Sequence, residues 1–435
     1  AACQVLGARG VDYDCFEKGS MIGGNWRYEN DNGTSSAYRS LHINSARKLM
    51  SFRSFPMPDS YPDYPSHWQV AKYFDDFAER FGLNEKIAFN TEVVGVRDLS
   101  DSGRQEANAA EGEWEVTVEG PDGERRTERY RAVLVANGHH WKPRWPEPPF
   151  PGADAYEGEQ MHVHHYREPD VLEGRRVLVL GIGNSAVDVA VESSRIAAKT
   201  FMAMRRSAYV IPKFLGGKPI DEATPPIATY LPMSVRRFFM KRLLKLSVGE
   251  MGDYGLAEPD HKLLEAHPTV SSELLPRIGH GDITVKPNID RFAGGRTVRF
   301  ADGSEEEIDL TIYCTGYEIE FPFLDAGVFA ARDNRMPLYK RAVAVESPGL
   351  YFVGFIQPLG PIMPLAEAQC EWIADLLGGR AALPPAAEMR KEIAGYERWM
   401  DRRFVSSKRH TIEVDFHPYM REIRRERKRR SPQAA

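Results

Sequence analysis

Apolar residues along this chain gather in short runs closed by glycine, and those runs predict its elements. Arg176-Val-Leu-Val-Leu-Gly181 places four apolar positions between a charge and a glycine, the pattern of a strand buried on both faces of a parallel sheet. After it, Ala186, Val187, Ala190 and Val191 recur at helical spacing, and their small or branched side chains suit a helix packed closely on a sheet. Thr200-Phe-Met-Ala-Met204 reads as the next strand, which completes a strand, turn, helix, strand unit. Two more runs, Arg131-Ala-Val-Leu-Val-Ala-Asn-Gly138 and Asp309-Leu-Thr-Ile-Tyr-Cys-Thr-Gly316, end in a small residue, a polar residue and glycine, a tip that lets backbone approach a cofactor closely. With one copy on each side of the Gly181 unit, the chain is expected to leave one domain, build another and return.

Weaker patterns fill in the rest. Val11-Asp-Tyr-Asp-Cys-Phe-Glu17 reads as a strand with an acid at its tip, after a helix end at Ala1 to Gly7 and a turn at Ala8-Arg9-Gly10. Pro143 to Pro151 predicts a loop and Pro212 to Pro226 irregular structure. Val298-Arg-Phe-Ala-Asp-Gly303 predicts a hairpin with an Asp-Gly turn.

A length of 435 residues exceeds one ordinary core and calls for two or three domains. With 42% hydrophobic and 27% charged residues, the composition is globular rather than disordered. A net charge of −5 makes no broad field for nucleic acid or an anionic membrane, and the basic run Arg421 to Arg430 reads as a solvated helix end or frayed terminus. No apolar stretch approaches the roughly 20 residues of a membrane span, and none reads as a signal peptide. Cys3, Cys15, Cys314 and Cys370 lack the spacing of a redox pair or zinc site, which points to a reducing, cytoplasmic setting.

Gly181-Ile-Gly183-Asn-Ser-Ala186 matches the dinucleotide fingerprint with alanine in the third glycine position. Gly181 permits the tight turn, Gly183 lets a pyrophosphate reach the backbone, and the helix N-terminus offers N–H groups and its positive dipole end. The turn through Asn184, Ser185, Ala186 and Asp188 is therefore expected to hold the cofactor. An NAD-specific unit places an acid at the end of the second strand; Arg205 and Arg206 stand there instead, and guanidinium suits the extra phosphate of NADPH. The competing nucleophile elbow of serine hydrolases fails at Val187, where glycine is needed. Glu17 suits a ribose hydroxyl in a first nucleotide unit whose opening strand and glycine turn are expected before Ala1, and the chain, lacking an initiating Met, is expected to be part of a longer protein.

Ile22-Gly-Gly-Asn-Trp26, Leu41-His-Ile-Asn-Ser45, Tyr156-x-Gly158-x-x-x-His162-x-x-x-Tyr166, Cys314-Thr-Gly-Tyr317, Glu367-x-Gln369 and Arg409-His-Thr-Ile412 together resemble the flavin-containing monooxygenases, from Ala1 to about Tyr419. One departure is Tyr156, where the family's motif normally begins with Phe. The resemblance implies an α/β fold of two Rossmann-like dinucleotide-binding domains, the NADPH domain inserted into the FAD domain. Its expected divisions are 1–168 and 317–435 for FAD and 171–316 for NADPH. It implies that Glu17 binds the FAD ribose, that Asn25 and Trp26 line the flavin, and that Asn44, with Ser45 beside it, is the active-site asparagine. Gly181, Gly183, Ser185 and Arg205 would hold NADPH, with Thr315, Gly316 and Gln357 as further cofactor contacts.

The implied reaction is reduction of FAD by NADPH, formation of a flavin hydroperoxide with dioxygen, and transfer of one oxygen atom to an amine nitrogen or sulfide sulfur of a small molecule. The protein's part is to position and shield the cofactor. Baeyer–Villiger oxygenation of a ketone is the nearest alternative, disfavoured because such enzymes carry Trp where Tyr166 stands; a flavoprotein reductase without oxygen transfer is another. His139, His140, His162, His164 and His165 raise a metal site, but no carboxylate or cysteine is suitably spaced with them, so no metal is expected. Expected partners are a small-molecule substrate and dioxygen, with a homodimer as the candidate assembly and neither nucleic acid nor integral membrane contact. The aromatics Tyr230, Phe238, Phe239 and Tyr254 are expected in a core or interface.

Overall fold

A computed structural model describes residues 1–100, 109–223, 230–404 and 411–430. Pro225 and Pro226, and Arg409 and His410 of the last motif, lie outside the described residues. The chain forms two compact units. The second comprises Ser36–Asn44 and Pro143–Tyr317, and so interrupts in sequence the first, which comprises Ala1–Ser35, Ser45–Lys142 and Glu318–Ala435. Residues 143–168 thus pack with the second unit.

The second unit is built on five parallel strands: β1 (Glu159–His162), β2 (Arg176–Leu180), β3 (Lys199–Met204), β4 (Ile283–Pro287) and β5 (Leu310–Tyr313), in the order β4-β3-β2-β5-β1. Val179 of β2 stands opposite Met202 on one side and Ile312 on the other. The four apolar positions of β2 are all buried, as the run predicts. Val177 and Val179 pack with Ala186, Val187 and Ala190 of helix α1 (Asn184–Ile196). Leu178 and Leu180 pack with Phe201, Phe292 and Val298, the last two from an antiparallel sheet of Ile289–Gly294, Thr297–Phe300 and Glu305–Glu307. Its second turn is the expected Asp-Gly turn: Gly303 has φ +83°, and Asp302 Oδ1 accepts from Ser304 N at 2.9 Å. At the start of β2, the Arg176 guanidinium grips Asp309 through Nε at 2.9 Å and Nη2 at 2.7 Å. Those bonds hold the Asp309 carboxyl well below the usual range.

Helix α2 (Met233–Val248) of the same unit behaves differently, with only Leu244 buried. Tyr230, which precedes the helix, and Phe238 and Phe239 on it are exposed rather than in a core; the helix is ionic on its inward side, where Arg237 donates to Leu263 O at 2.9 Å and pairs with Glu265 at 3.0 Å. Tyr254 is half-buried and donates to Val248 O at 2.8 Å.

In the first unit, Cys15–Phe16 pairs in parallel with Ile87–Ala88, and Val133–Val135 with Leu350–Phe352. Glu92–Asp98, Trp114–Glu119 and Arg125–Tyr130 form an antiparallel sheet. The helix Met363–Leu377 is buried all round apart from Ala366 and Glu371, so it lies inside a core rather than upon one. Glu367, the acid of the Glu-x-Gln motif, accepts from Arg53 N at 2.8 Å and Ser54 N at 3.0 Å. Gln369 accepts from Gly354 N at 2.9 Å and donates to Tyr419 Oη at 2.7 Å. The basic run is not simply a solvated end: Arg427 pairs with Asp375 and Glu371, and Arg429 with Glu426 and Glu388. The four cysteines are free thiols. Among the described residues no helix is long and apolar enough to cross a membrane.

Candidate nucleotide-binding site

The turn after β2 is shaped by its glycines. Gly181 has φ +138°, and a Cβ there would stand 2.9 Å from Cys314 O and 3.4 Å from the Ala186 Cβ, so neighbouring strand tips and the helix leave no room for a side chain. Gly183 is the N-cap of α1 in extended conformation, its carbonyl accepting from Val187 N at 3.0 Å. Among the described residues no side chain caps this end of α1, so the first amides and the positive dipole end are open to an anion. Ser185 is half-buried beside them and Ala186 is buried against the sheet. Asn184 has a bracing contact: its Oδ1 accepts from Val270 N at 2.8 Å, while Thr269 Oγ1 donates to Ile182 O at 2.5 Å. Thr269–Val270 therefore clamps the turn from behind.

At the end of β3 the two arginines part company. Arg205 is exposed and engaged by no ion pair among the described residues, whereas Arg206 Nε pairs with Asp260 at 3.2 Å. Asp188, expected to contact cofactor, instead accepts a hydrogen bond from Tyr38 Oη at 2.5 Å, and desolvation raises its pKa. Thr315 Oγ1 donates to Arg144 O, and Gly316, at φ +86°, accepts from Arg144 N at 3.0 Å. Both thus tie down the proline-rich loop that opens at Pro143.

The identifying motif is a packing device. Tyr156 packs against Phe292 with ring centroids 4.5 Å apart and the planes tilted by 44°, and its Oη donates to Ile308 O at 2.9 Å. A Cβ on Gly158 would lie 2.3 Å from the Tyr156 ring, which accounts for the glycine. His162 is buried against Trp145 and Tyr317 and accepts from His164 N at 3.1 Å. Burial pushes the pKa of His162 and of His164 down to about 4, so both rings are neutral at pH 7. Tyr166 Oη donates to Glu192 Oε2 at 2.5 Å. Among the described residues no cluster of three His, Cys, Asp or Glu could hold a metal ion.

Asn44 closes the Ser36–Asn44 segment, and its Oδ1 is buried without a hydrogen-bond partner among the described residues. An orphaned acceptor of this kind is costly unless a ligand or water supplies a donor. Ser45 follows it, half-buried. In the first unit, Glu17 sits just past Cys15–Phe16; its Oε1 accepts from Gly19 N at 2.9 Å and Asn32 Nδ2 at 3.3 Å, leaving Oε2 as a further acceptor. Gly23 and Gly24, at φ +117° and +50°, turn the chain into the short helix Gly24–Trp26. Asn25 there accepts from Ser35 Oγ at 3.1 Å through its carbonyl, and Trp26 is half-buried. Gln357 opens a strand whose N–H donates to Ile412 O at 2.8 Å. Residues missed from the sequence are Glu192 on the helix itself and Tyr38, Ser40 and Thr269, which reach the helix or the turn from distant segments and leave no spacing signal.

Residues 3–430 match the model of the flavin-binding monooxygenase-like family. The chain belongs to that family. Flavin-containing monooxygenase 5 of Rattus norvegicus is 36% identical over 423 residues, 95% of this chain and 78% of that protein. The N-oxide-forming dimethylaniline monooxygenase 2 of Mus musculus is 32% identical over 425 residues, 95% and 78% of the two. Among solved structures, S-allyl-L-cysteine S-oxygenase from Allium sativum superposes with a TM-score of 0.72 at 27% identity, covering 98% of this chain and 85% of that one. As a flavin-binding monooxygenase, the protein is an α/β oxidoreductase with two dinucleotide-binding domains. It uses FAD and NADPH and acts on a small molecule and dioxygen. The residues in place suit those nucleotides: an uncapped helix end behind a close-packed glycine, an unpaired arginine, an acid at a strand tip and an orphaned carboxamide oxygen.

Proposed function

We propose that the second unit holds NADPH and the first FAD, and that this monooxygenase places one oxygen atom on a soft nucleophile, an amine nitrogen or a sulfide sulfur. The observation that carries the nucleotide assignment is the uncapped N-terminus of α1 behind Gly181, with Arg205 unpaired at the end of β3. The amides of Asn184, Ser185 and Ala186 bind the pyrophosphate, and Arg205 pairs with the 2′-phosphate. Arg206 is already matched to Asp260 and contributes less. Glu17 offers Oε2 to the FAD ribose, and Asn44 offers its Oδ1 to a donor at the reacting centre. Bound FAD supplies the redox chemistry, taking a hydride from NADPH and activating dioxygen. The residues orient it and keep water away; the transfer to a soft nucleophile calls for no acid–base dyad.

An N-oxide-forming relative and an S-oxygenase structural neighbour support the substrate class. The deciding experiment supplies labelled dioxygen, NADPH and either a tertiary amine or a thioether to the FAD-loaded enzyme. One labelled oxygen in an N-oxide or sulfoxide is expected; NADPH oxidation with no label in any product would overturn the proposal. A lactone or ester from a ketone in place of those products would move the enzyme to Baeyer–Villiger chemistry. Four free thiols support a reducing compartment such as the cytoplasm.

A further inference from the structure

The helix that presents its N-terminus to the nucleotide also carries two acids one turn apart, Asp188 and Glu192, on the same face. Like charges at that spacing repel, yet both are occupied by hydroxyl donors from elsewhere in the unit. Asp188 Oδ2 accepts from Tyr38 Oη at 2.5 Å. Glu192 Oε2 accepts from Ser40 Oγ at 3.1 Å and from Tyr166 Oη at 2.5 Å. Tyr38 and Tyr166 are buried, with ring centroids 5.9 Å apart. The backbone between the two donors is fixed as well, Arg39 N donating to Arg167 O at 2.9 Å. Tyr38 and Ser40 both belong to Ser36–Asn44, the segment that ends in Asn44, whose buried Oδ1 has no hydrogen-bond partner among the described residues.

We propose that Asp188 and Glu192 are positioning residues, which fasten the Asn44 segment to the nucleotide-turn helix through Tyr38, Ser40 and Tyr166, so that Asn44 is held in place by the NADPH unit. This rests on the assignment of Asn44 to the reacting centre. It gives Asp188 a task other than touching cofactor, and it gives the Tyr of the identifying motif a chemical partner that an indole could meet only with a differently placed N–H. Ordering of α1 by a bound nucleotide then reaches Asn44 through side-chain hydrogen bonds of one rigid element.

Two measurements test it. In the first, hydrogen exchange of the 36–44 peptide is followed with and without NADP⁺. Severalfold slower exchange on adding NADP⁺ is expected in the native protein and in Asp188→Asn, which keeps an acceptor for Tyr38. That ligand-dependent protection is expected to vanish in Asp188→Ala/Glu192→Ala, with NADP⁺ affinity changed less than about threefold. Loss of NADP⁺ affinity in parallel, or protection unchanged in the double variant, overturns the proposal. In the second, product formed per NADPH consumed is measured for the FAD-loaded enzyme in a double-mutant cycle of Tyr38→Phe and Asn44→Ala. Tyr38→Phe is expected to lower the yield on the order of fivefold alone and less than twofold in the Asn44→Ala background, because a residue acting through another is non-additive with it. If Asn44→Ala is itself silent, the reading of Asn44 falls and the positioning role with it. If Asn44→Ala is impaired and Tyr38→Phe adds in full, the positioning role alone falls.

Discussion

Helices α1 and α2 belong to the same unit and are of similar length, and by pattern α2 looks the better candidate for burial. It carries Phe238, Phe239, Leu243, Leu244 and Leu246, against the alanines and valines of α1. Yet α1 buries six of its thirteen residues and α2 one of its sixteen. Size of the apolar side chains does not decide the matter. Ala186, Val187 and Ala190 are small enough to let α1 lie close on β2 and β3, where their modest surfaces are wholly removed from water. In α2 five cations and no acid share the helix with the large residues. Arg237 takes the inward position, and Arg242 lies over the exposed Phe238 ring at 4.9 Å, so the stripe of Val235, Phe239, Leu243 and Leu246 faces solvent. The interior of this unit selects for fit and the absence of unpaired charge before it selects for hydrophobic mass.

The contrast can be broken most severely at the end of α1. Gly181→Val places a branched side chain at φ +138° and 2.9 Å from Cys314 O. It is expected to cost roughly 3 kcal/mol or more in strain and overpacking and to abolish NADP⁺ binding, seen in a thermal melt and a titration. Acid should attack the α1 side next. Val163 and Tyr166, which flank His164, share the core of α1, and His162 and His164 have pKa values pushed down to about 4. Unfolded histidine binds its proton near 6.5, so between pH 6.5 and 4 the unfolded chain holds more protons and stability falls as pH falls. The loss approaches roughly 3 kcal/mol per imidazole. His162→Asn is expected to flatten the denaturant midpoint between pH 6.5 and 4; an unchanged slope would contradict the neutral assignment.

The third effect separates the two arginines at the end of β3. Arg205→Ala should weaken NADPH roughly 10- to 100-fold with NADH little changed, since a bond to a charged group is worth about 1.5–3 kcal/mol. Arg206→Ala, which removes only an exposed pair with Asp260, should change either by less than about threefold; KM values for both nucleotides decide it. The smallest effect tests the helices directly. Val187→Ala on α1 is expected to cost about 1–2 kcal/mol, and Phe239→Ser on α2 to stay within about 0.5 kcal/mol, in matched urea titrations.

The strand, turn, helix, strand unit and the Asp-Gly hairpin were legible in the sequence because each is local: period, glycine and burial sit within one stretch of chain. The partners of its charges were not. Asp188 and Tyr38 are separated by 150 positions, and no spacing rule links them. A run of cations looks solvated until Glu371, Asp375 and Glu388 are brought beside it by other helices. The aromatics of α2 pointed the other way, toward a core, since apolar pattern alone does not reveal whether a sheet lies opposite. The helix Met363–Leu377 buries Glu367, Gln369 and Asp375 along with its apolar residues, so its pattern does not separate an inner face from an outer one.

The clamp behind the nucleotide turn has a practical meaning for protein engineering. Thr269–Val270 pairs in parallel with Val210–Ile211, so the stretch between them, α2 included, begins and ends at one small anchorage. A parallel pair needs a crossover of about a dozen residues. The intervening stretch is far longer than that, and its exposed helix face is the part open to redesign, while Met251 and Leu256 keep their places in the core and Thr269 and Val270 their bonds to Ile182 and Asn184.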